Sequence, residues 1–248
     1  MPRAAAVIVA AGRGERFGLD AKALVPLLGR PMLAWSLDAI EEAASVREIV
    51  VVAGTHTRDR IAALLAEGAW DKVVAVVEGG LRRQDSVAVG VHALSSNLDV
   101  VLIHDAARPL ATAAQYDACA RLAAHHGAAI VAAPVSDTLK RVADGLVTAT
   151  VTRDGLWMAQ TPQGFRRDDL VAALRSPAAR ETTLTDDAAL FEALGWPVAI
   201  VPGDRANLKV TFPSDLAMAE ALLRTRYDER VKPGTEAPGS PRKPAAVG

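Results

Sequence analysis

The sequence lacks several features that characterise whole classes of protein. It contains one cysteine among 248 residues, which excludes an internal disulfide framework, and it shows no Cys/His spacing typical of a metal site. No apolar run approaches the roughly 20 residues that a membrane-spanning helix needs. The N-terminus also lacks the basic and apolar regions of a signal peptide. We therefore expect a cytoplasmic protein that does not associate with a membrane.

An excess of charge of either sign is also missing. The chain has 28 basic and 29 acidic residues, for a net charge of −1. A dedicated nucleic-acid-binding protein normally has a basic excess or a basic patch. We therefore expect no nucleic-acid partner, and any anionic ligand must be bound by a local cluster of Arg and Lys.

Aromatic residues are scarce, at 4% of the chain, so the core must be built from Ala, Val, Leu and Ile. Short β-branched runs alternate with helical patterns, and the runs are apolar without alternation, which is typical of strands buried on both faces. This order predicts an α/β fold with a doubly wound, mostly parallel sheet. The predicted strands are 5–10, 48–53, 73–77, 100–104, 129–133, 156–160, 198–201 and 207–210. The predicted helices are 31–43, 58–66, 85–94, 112–125, 167–175, 185–194 and 213–225.

The alternation breaks after Pro134. Two Asp-Gly pairs, Asp144-Gly145 and Asp154-Gly155, separate β-prone stretches there, and Asp-Gly between such stretches favours a hairpin turn. We predict a protruding β-arm over about 135–156. A two-stranded arm has little core of its own, so we expect it to pack on a second copy of the chain and form a homodimer. Residues 1–228 then form a single domain, and the Pro/Gly-rich segment 229–248 is predicted to be a disordered tail.

The segment VIVAAGRGERFG at 7–18 is a hydrophobic run that breaks into glycines, as in a strand that leads into a phosphate-binding turn. After Gly12 and Gly14 the next glycine follows only after three residues, whereas the dinucleotide fingerprint has two residues there. The ribose-binding acid of that fingerprint is also missing about 20 residues further on. Arg16 and Lys22 add two cations, which suit the charge of a nucleoside triphosphate. The segment therefore favours a triphosphate over a nicotinamide dinucleotide.

Three charged residues outside this loop are further candidates. Asp105 ends a predicted strand, and the ligand crevice of an open α/β sheet lies at such strand ends. Since Mg²⁺ often takes only one or two protein carboxylates, Asp105 is a candidate metal ligand. The alternative is that Asp105 caps a turn or a helix. Arg108, three residues further on, could form a salt bridge with Asp105. Lys209 interrupts an apolar pattern and needs a partner anion if it is buried; the alternative is a lysine that extends from the sheet edge.

The opening loop resembles the signature loop of nucleotidyltransferases. Six further segments resemble one branch of these enzymes, the 2-C-methyl-D-erythritol 4-phosphate cytidylyltransferase (IspD) family, and they occur in order within about residues 4 to 226. They are EGGLRRQDSV at 78–87, HDAARP at 104–109, APVSDTLKR at 133–141, GLWMAQTPQGF at 155–165, LTDDA at 184–188 and NLKVTFPSDLAMAE at 207–220.

The resemblance implies that the protein transfers a cytidylyl group from CTP to 2-C-methyl-D-erythritol 4-phosphate, with Mg²⁺ as cofactor. The products would be 4-diphosphocytidyl-2-C-methyl-D-erythritol and pyrophosphate, in non-mevalonate isoprenoid precursor synthesis. A ribitol-5-phosphate cytidylyltransferase is an alternative with the same chemistry. A redox enzyme on a Rossmann sheet and a non-catalytic nucleotide sensor are alternatives from other classes. The glycine spacing argues against the redox enzyme, and the combination of Arg16, Lys22, Asp105 and Lys209 argues against the sensor.

The resemblance also implies roles for individual residues. The expected catalytic residues, which would neutralise phosphoryl charge, are Arg16, Lys22 and Lys209. The expected CTP-binding residues are Ala10, Ala11, Gly12, Gly14, Gly79, Gly80, Ser86 and Ala106. In this set, backbone amides and the Ser86 hydroxyl would recognise the edge of cytosine, or Ser86 would simply cap a helix. The expected acceptor-binding residues are Asp105, Arg108, Thr138, Arg153, Thr161 and Thr185. Thr138 and Arg153 would reach from the arm into the partner's site, whereas ordinary structural roles are the alternative for Thr161 and Thr185.

Overall fold

Strands and helices alternate along the chain in the computed structural model, which describes residues 1–12, 21–181 and 184–231. The strands of this part of the chain are β1 (Ala4–Ala10), β2 (Pro26–Leu27), β3 (Arg30–Pro31), β4 (Val46–Ala53), β5 (Val73–Glu78), β6 (Val100–Asp105), β7 (Ala128–Pro134), β8 (Leu139–Ala143), β9 (Leu146–Val151), β10 (Trp157–Arg166) and β11 (Ala199–Pro202). The helices are α1 (Met32–Glu42), α2 (Arg58–Glu67), α3 (Arg83–His92), α4 (Ala113–His126), α5 (Arg167–Arg175), α6 (Pro177–Glu181), α7 (Ala188–Ala193) and α8 (Ser214–Val231), and a 3₁₀ helix spans Lys22–Leu24. Within the described ranges, no helix is long and apolar enough to cross a lipid bilayer.

Seven strands form one sheet in the order β11-β7-β10-β6-β1-β4-β5. Strand β1 pairs in parallel with β4 and β6, β4 pairs in parallel with β5, and β7 with β11. Strand β10 is antiparallel to its neighbours β6 and β7. The prediction of an α/β fold with a mostly parallel sheet is confirmed.

Helices cover both faces of this sheet, which explains why the strands show no polar alternation. Leu37 of α1 and Ile61 of α2 belong to the core on one face. Val87 of α3, Leu170 of α5 and Phe191 of α7 belong to the core on the other face. The carboxyl ends of the parallel strands therefore remain as the edge at which a ligand can approach.

A third apolar cluster joins the C-terminal helix to the segment after the opening loop. It includes Leu27 of β2, Leu223 of α8 and Val210, which directly follows Lys209. Glu220 of α8 also accepts a hydrogen bond from Leu28 N at 3.1 Å. Helix α8 therefore holds two segments that lie next to the predicted site lysines.

The predicted arm is a two-stranded antiparallel hairpin of β8 and β9, separate from the main sheet. Asp144 and Gly145 form its turn with φ of 50° and 78°, the left-handed geometry that Asp-Gly adopts readily. Asp154-Gly155 does not form a second hairpin, because β10 pairs with β7 and β6 and not with β9.

Three other predictions need correction. Residues 207–210 do not form a strand, because Val210 packs in the cluster under α8 instead of pairing in the sheet. The strand predicted at 156–160 is β10, which extends to Arg166, six residues beyond the prediction. Helix α6 was not predicted. Helix α8 continues to Val231, so residues 229–231 are helical, and the remainder of the predicted tail lies outside the described residues.

Candidate active site

A cluster of ion pairs lies at the carboxyl end of β6. Asp105 is the last residue of that strand, and 13% of its side chain is exposed. Its Oδ1 accepts a hydrogen bond from Arg83 Nη2 at 3.0 Å, and its Oδ2 accepts one from Lys209 Nζ at 2.7 Å. Burial acts to raise the pKa of the Asp105 carboxyl, but the two cations outweigh burial and hold this pKa well below its usual range. Asp105 is therefore a carboxylate at neutral pH.

Arg83 extends the cluster to a second carboxylate. It is the first residue of α3, and its Nη1 donates to Asp187 Oδ2 at 2.6 Å. The Asp187 side chain is only 6% exposed. Burial opposes the charge on the guanidinium, yet Asp187 and Asp105 together raise the pKa of Arg83. The cluster thus connects α3, β6 and the segment that precedes α7.

Neither Arg83 nor Asp187 is among the residues that the sequence singled out. Arg83 lies two residues before the predicted helix 85–94, so no local pattern marked it; in the structure it begins α3, where a basic side chain opposes the helix dipole and needs an anionic partner. The adjacent Asp186 binds the first turn of α7: its Oδ1 accepts a hydrogen bond from Ala189 N at 3.1 Å. Asp187 points instead to Arg83.

Lys209 reaches Asp105 from a loop. Val210 N donates to Ala107 O at 2.8 Å, which holds this loop beside the residues that follow β6. Asn207 Nδ2 donates to Thr161 O at 3.0 Å and ties the loop to β10 as well. The Lys209 side chain is 42% exposed, so burial does not require a partner anion, and its partner is Asp105.

Buried polar groups support Asp105 from behind. Thr161 Oγ1 accepts a hydrogen bond from Asp105 N at 3.2 Å and lies 3.0 Å from His104 Nδ1, while His104 Nε2 lies 3.3 Å from Ser36 Oγ. Burial is the main cause that lowers the pKa of His104 to about 3; the charges of Arg108 and Lys209 also act to lower it, and Asp105 opposes them. The Thr161 hydroxyl thus contacts the backbone of Asp105 and the imidazole of His104.

Arg108 holds two backbone segments together. Its Nη1 donates to Asn207 O at 2.8 Å, and its Nη2 donates to Ala159 O at 3.1 Å. Its Nε is buried without a hydrogen-bond partner in the structure. Burial lowers the pKa of Arg108 despite the nearby Asp105 carboxylate.

The glycine pair after β5 lies against the end of β1. A Cβ added to Gly79 would lie 2.7 Å from Ala11 Cβ and 2.7 Å from Ser86 Oγ, so a larger residue would not fit. Ser86 Oγ accepts a hydrogen bond from Gly80 N at 3.1 Å, which fixes the turn. Ala106 N donates to Val9 O at 3.2 Å, so that this alanine lies beside the same strand end. Most of the predicted CTP-binding residues therefore border one edge of the sheet.

Part of the opening loop lies outside the described residues. This part includes two of the predicted site residues, Gly14 and Arg16. Ala10 ends β1, Gly12 is exposed just beyond it, and Lys22 begins the 3₁₀ helix that leads into β2.

The arm residues and Thr185 are exposed. Arg153 Nη1 donates to Ser136 O, and Arg205 Nη1 donates to Ser136 Oγ at 2.6 Å, which links the base of the arm to the loop that contains Lys209. Thr138 is exposed just before β8, and Thr185 is exposed before α7. The structure brings Asp105 and Lys209 into contact, whereas these exposed residues form no part of that cluster.

The chain resembles one family of known proteins over most of its length. The sequence model of the family described as 2-C-methyl-D-erythritol 4-phosphate cytidylyltransferase (IspD) matches residues 4–225. A protein of that name from Prochlorococcus marinus is 48% identical over 222 residues, which cover 89% of this chain and 98% of the relative. A protein of the same name from Frankia casuarinae is 47% identical over 225 residues, which cover 90% of this chain and 82% of the relative.

Solved structures show the same similarity. A 4-diphosphocytidyl-2C-methyl-D-erythritol synthase from Anaerococcus prevotii superposes with a TM-score of 0.78 at 30% identity and covers 89% of this chain and 96% of its own. A 2-C-methyl-D-erythritol 4-phosphate cytidylyltransferase from Thermus thermophilus superposes with a TM-score of 0.72 at 34% identity. The match covers 88% of this chain and 98% of the Thermus chain.

Proposed function

The chain belongs to the 2-C-methyl-D-erythritol 4-phosphate cytidylyltransferase family, and we propose that the cluster around Asp105 is the centre of its active site. The enzyme transfers a cytidylyl group from CTP to 2-C-methyl-D-erythritol 4-phosphate in isoprenoid synthesis. An oxygen of the acceptor phosphate attacks the α-phosphorus of CTP and forms a new P–O bond. The bond from the α-phosphorus to the bridging oxygen breaks, and pyrophosphate leaves with the electron pair.

One observation supports this assignment above the others. Asp105 holds two cations, Arg83 and Lys209, at the carboxyl edge of the sheet, opposite Val9 near the end of β1. Ligand sites of open α/β sheets lie at this edge. Charged side chains arranged in advance at such a site can stabilise the charge that develops on phosphoryl oxygens.

The cations have distinct tasks in this proposal. Arg16 and Lys22 bind the triphosphate, where the planar guanidinium of Arg16 can bind two oxygens and Lys22 acts as a point charge. Lys209 Nζ exchanges the Asp105 carboxylate for a substrate phosphate, since both are anionic oxygen acceptors. These side chains align the attacking oxygen with the leaving group, and no covalent enzyme intermediate is needed.

The glycine turns provide the CTP site in this proposal. Gly79, Gly80 and Ser86 recognise the base, because the absence of side chains lets a planar ring approach the backbone. The other proposed CTP-binding residues surround the end of β1 and are Ala10, Ala11, Gly12, Gly14 and Ala106.

Mg²⁺ fits this site as an ion shared between one carboxylate and the substrate phosphates. The described residues contain no group of three or more His, Cys, Asp or Glu that would hold a metal ion by themselves. Asp105 offers the hard oxygen ligands that Mg²⁺ prefers, and one or two protein carboxylates suffice where phosphates supply the others. When bound through Asp105, the ion would neutralise charge on the triphosphate.

The β8–β9 arm supports a homodimer in which each arm contributes to the partner's acceptor site. Val142, Leu146 and Val147 are 56%, 72% and 63% exposed, although apolar side chains on a two-stranded hairpin need a surface to pack against. Thr138 and Arg153 at the base of the arm bind the acceptor phosphate together with Arg108, Thr161 and Thr185. Leu146→Glu should then convert dimer to monomer in sedimentation, whereas an unchanged dimer would place the interface elsewhere.

The remaining proposals concern organisation and location. Residues 1–231, to the end of α8, act as a single nucleotidyltransferase domain, and the remainder of the tail is dispensable. A cytoplasmic location is supported by Cys119, a buried free thiol, which is compatible with a reducing compartment.

The decisive experiment measures pyrophosphate release with CTP, Mg²⁺ and either 2-C-methyl-D-erythritol 4-phosphate or ribitol 5-phosphate. Release with the erythritol phosphate alone is expected. Release with ribitol 5-phosphate alone would retain the catalytic residues but change the acceptor. Release with neither would contradict the proposed active site.

A further inference from the structure

Arg83 lies between two carboxylates that come from distant parts of the chain, Asp105, which is 13% exposed, and Asp187, which is 6% exposed. Its two Nη atoms donate to different partners, Nη2 to Asp105 at 3.0 Å and Nη1 to Asp187 at 2.6 Å. A planar guanidinium has its donors in fixed directions, so its orientation is set once both carboxylates are bound.

Strand β10 holds the backbone of both aspartates in place independently of Arg83. Thr161 Oγ1 accepts the hydrogen bond of Asp105 N at 3.2 Å. Two residues along the strand, Gln163 Oε1 accepts from Asp187 N at 3.0 Å. Arg83 therefore spans two acceptors whose backbones are already anchored to one strand.

The two cations on Asp105 are held unequally. Arg83 is anchored by Asp187 as well and is 27% exposed, whereas Lys209 is 42% exposed and is held by Asp105 through its Oδ2. A substrate phosphate that binds Lys209 can draw it away from Oδ2. Oδ1 stays bound to Arg83 during that exchange.

We propose that Arg83 is a positioning residue for cytidylyl transfer, which keeps the Asp105 carboxylate in one orientation while Lys209 moves from Asp105 to substrate phosphate. Asp187 in turn anchors Arg83. This inference rests on the proposed function, because it assigns Asp105 and Lys209 to the reacting site. It adds that the orientation of Asp105 depends on a residue pair outside the set implied by the family resemblance.

The test uses two substitutions of Arg83 and one of its anchor, in the full chain, with steady-state pyrophosphate release and calorimetric CTP binding. Arg83→Met should lower kcat about 100-fold while the Kd for CTP stays within about threefold of wild type, since misplacing a reactive group affects turnover more than binding. Arg83→Lys keeps the charge but lacks the planar fork. Its free energy of unfolding should therefore be higher than that of Arg83→Met, whereas its kcat should remain low. Asp187→Asn should lower kcat about tenfold, because Arg83 then loses its charged anchor.

Arg82→Met is the matched control. Arg82 is the neighbouring arginine, and it pairs with Asp85 at 2.7 Å instead of with Asp105; its loss should leave kcat unchanged. Three results would each overturn the positioning role. The first is an equal loss of kcat in Arg82→Met, and the second is full kcat in Arg83→Lys. The third is a Kd for CTP that rises in Arg83→Met in step with the loss of kcat. If Arg83→Met does not fold, Asp187→Asn and Arg83→Lys decide alone. A wild-type chain that releases no pyrophosphate refutes the proposed function and this inference together, whereas an active wild type with an unimpaired Arg83→Met refutes only the inference.

Discussion

Acid should destabilise this protein through one buried imidazole. His104 lies next to Asp105 in β6 and is completely buried, between Thr161 and Ser36. Burial lowers its pKa from 6.5 to about 3. Below pH 6.5 the unfolded chain therefore takes up a proton that the folded chain does not. The free energy of unfolding should fall as the pH is lowered from about 6.5 towards 3, and recover as the pH is raised.

The size of the effect follows from the same two values. Between pH 7 and pH 5 the unfolded chain gains most of a proton at His104 and the native chain gains almost none. Proton linkage then predicts a loss of about 2 kcal/mol in unfolding free energy from this site alone. The result changes little as long as the native pKa lies below about 4, because the native imidazole is then neutral at both pH values.

Equilibrium urea unfolding at pH 7 and pH 5 measures this loss. Wild type should lose about 2 kcal/mol more than His104→Gln over this interval, whatever the variant's stability at pH 7. His56→Gln is the control, because it makes the same replacement at an exposed position. Equal losses in wild type and His104→Gln would refute the reasoning, since the native imidazole would then accept the proton.

Gly79→Ala places a Cβ 2.7 Å from Ser86 Oγ, so it should cost about 1–3 kcal/mol of unfolding free energy and raise the KM for CTP. Gly54→Ala, whose added Cβ has no contact closer than 3.4 Å, is the control. An unchanged KM for CTP in Gly79→Ala would argue against a base site there. The Cys119 thiol is buried and burial raises its pKa to about 12, so a thiol reagent should label it only as fast as the protein unfolds; fast labelling of the native protein would reveal local opening of α4. Arg153→Ala should raise the KM for the acceptor about tenfold and that for CTP much less, and equal effects on both would contradict an acceptor site at the arm.

Local patterns were sufficient to predict most of the sheet and helices. The strand predicted at 100–104 is β6 (Val100–Asp105), and the helix predicted at 167–175 has those bounds in the structure. Such elements are continuous apolar runs or amphipathic segments, so nearest neighbours in the chain determine them.

Two misses have a tertiary cause. Residues 161–166 extend β10, although Pro162 and Gly164 carry little strand signal, because residues 163–166 pair with β6 and residues 163–165 pair with β7. The apolar residue Val210 suggested a strand at 207–210, but it packs against α8 instead.

The sequence alone determined the fold class, the glycine turns, the candidate cations and the family, because each depends on residues close together in the chain or on ordered motifs. The tertiary structure decided which charges meet. Arg83 pairs with Asp187 and Lys209 with Asp105, each across 104 residues. A charged side chain binds whichever opposite charge the fold brings within hydrogen-bond distance, and no local pattern specifies that partner.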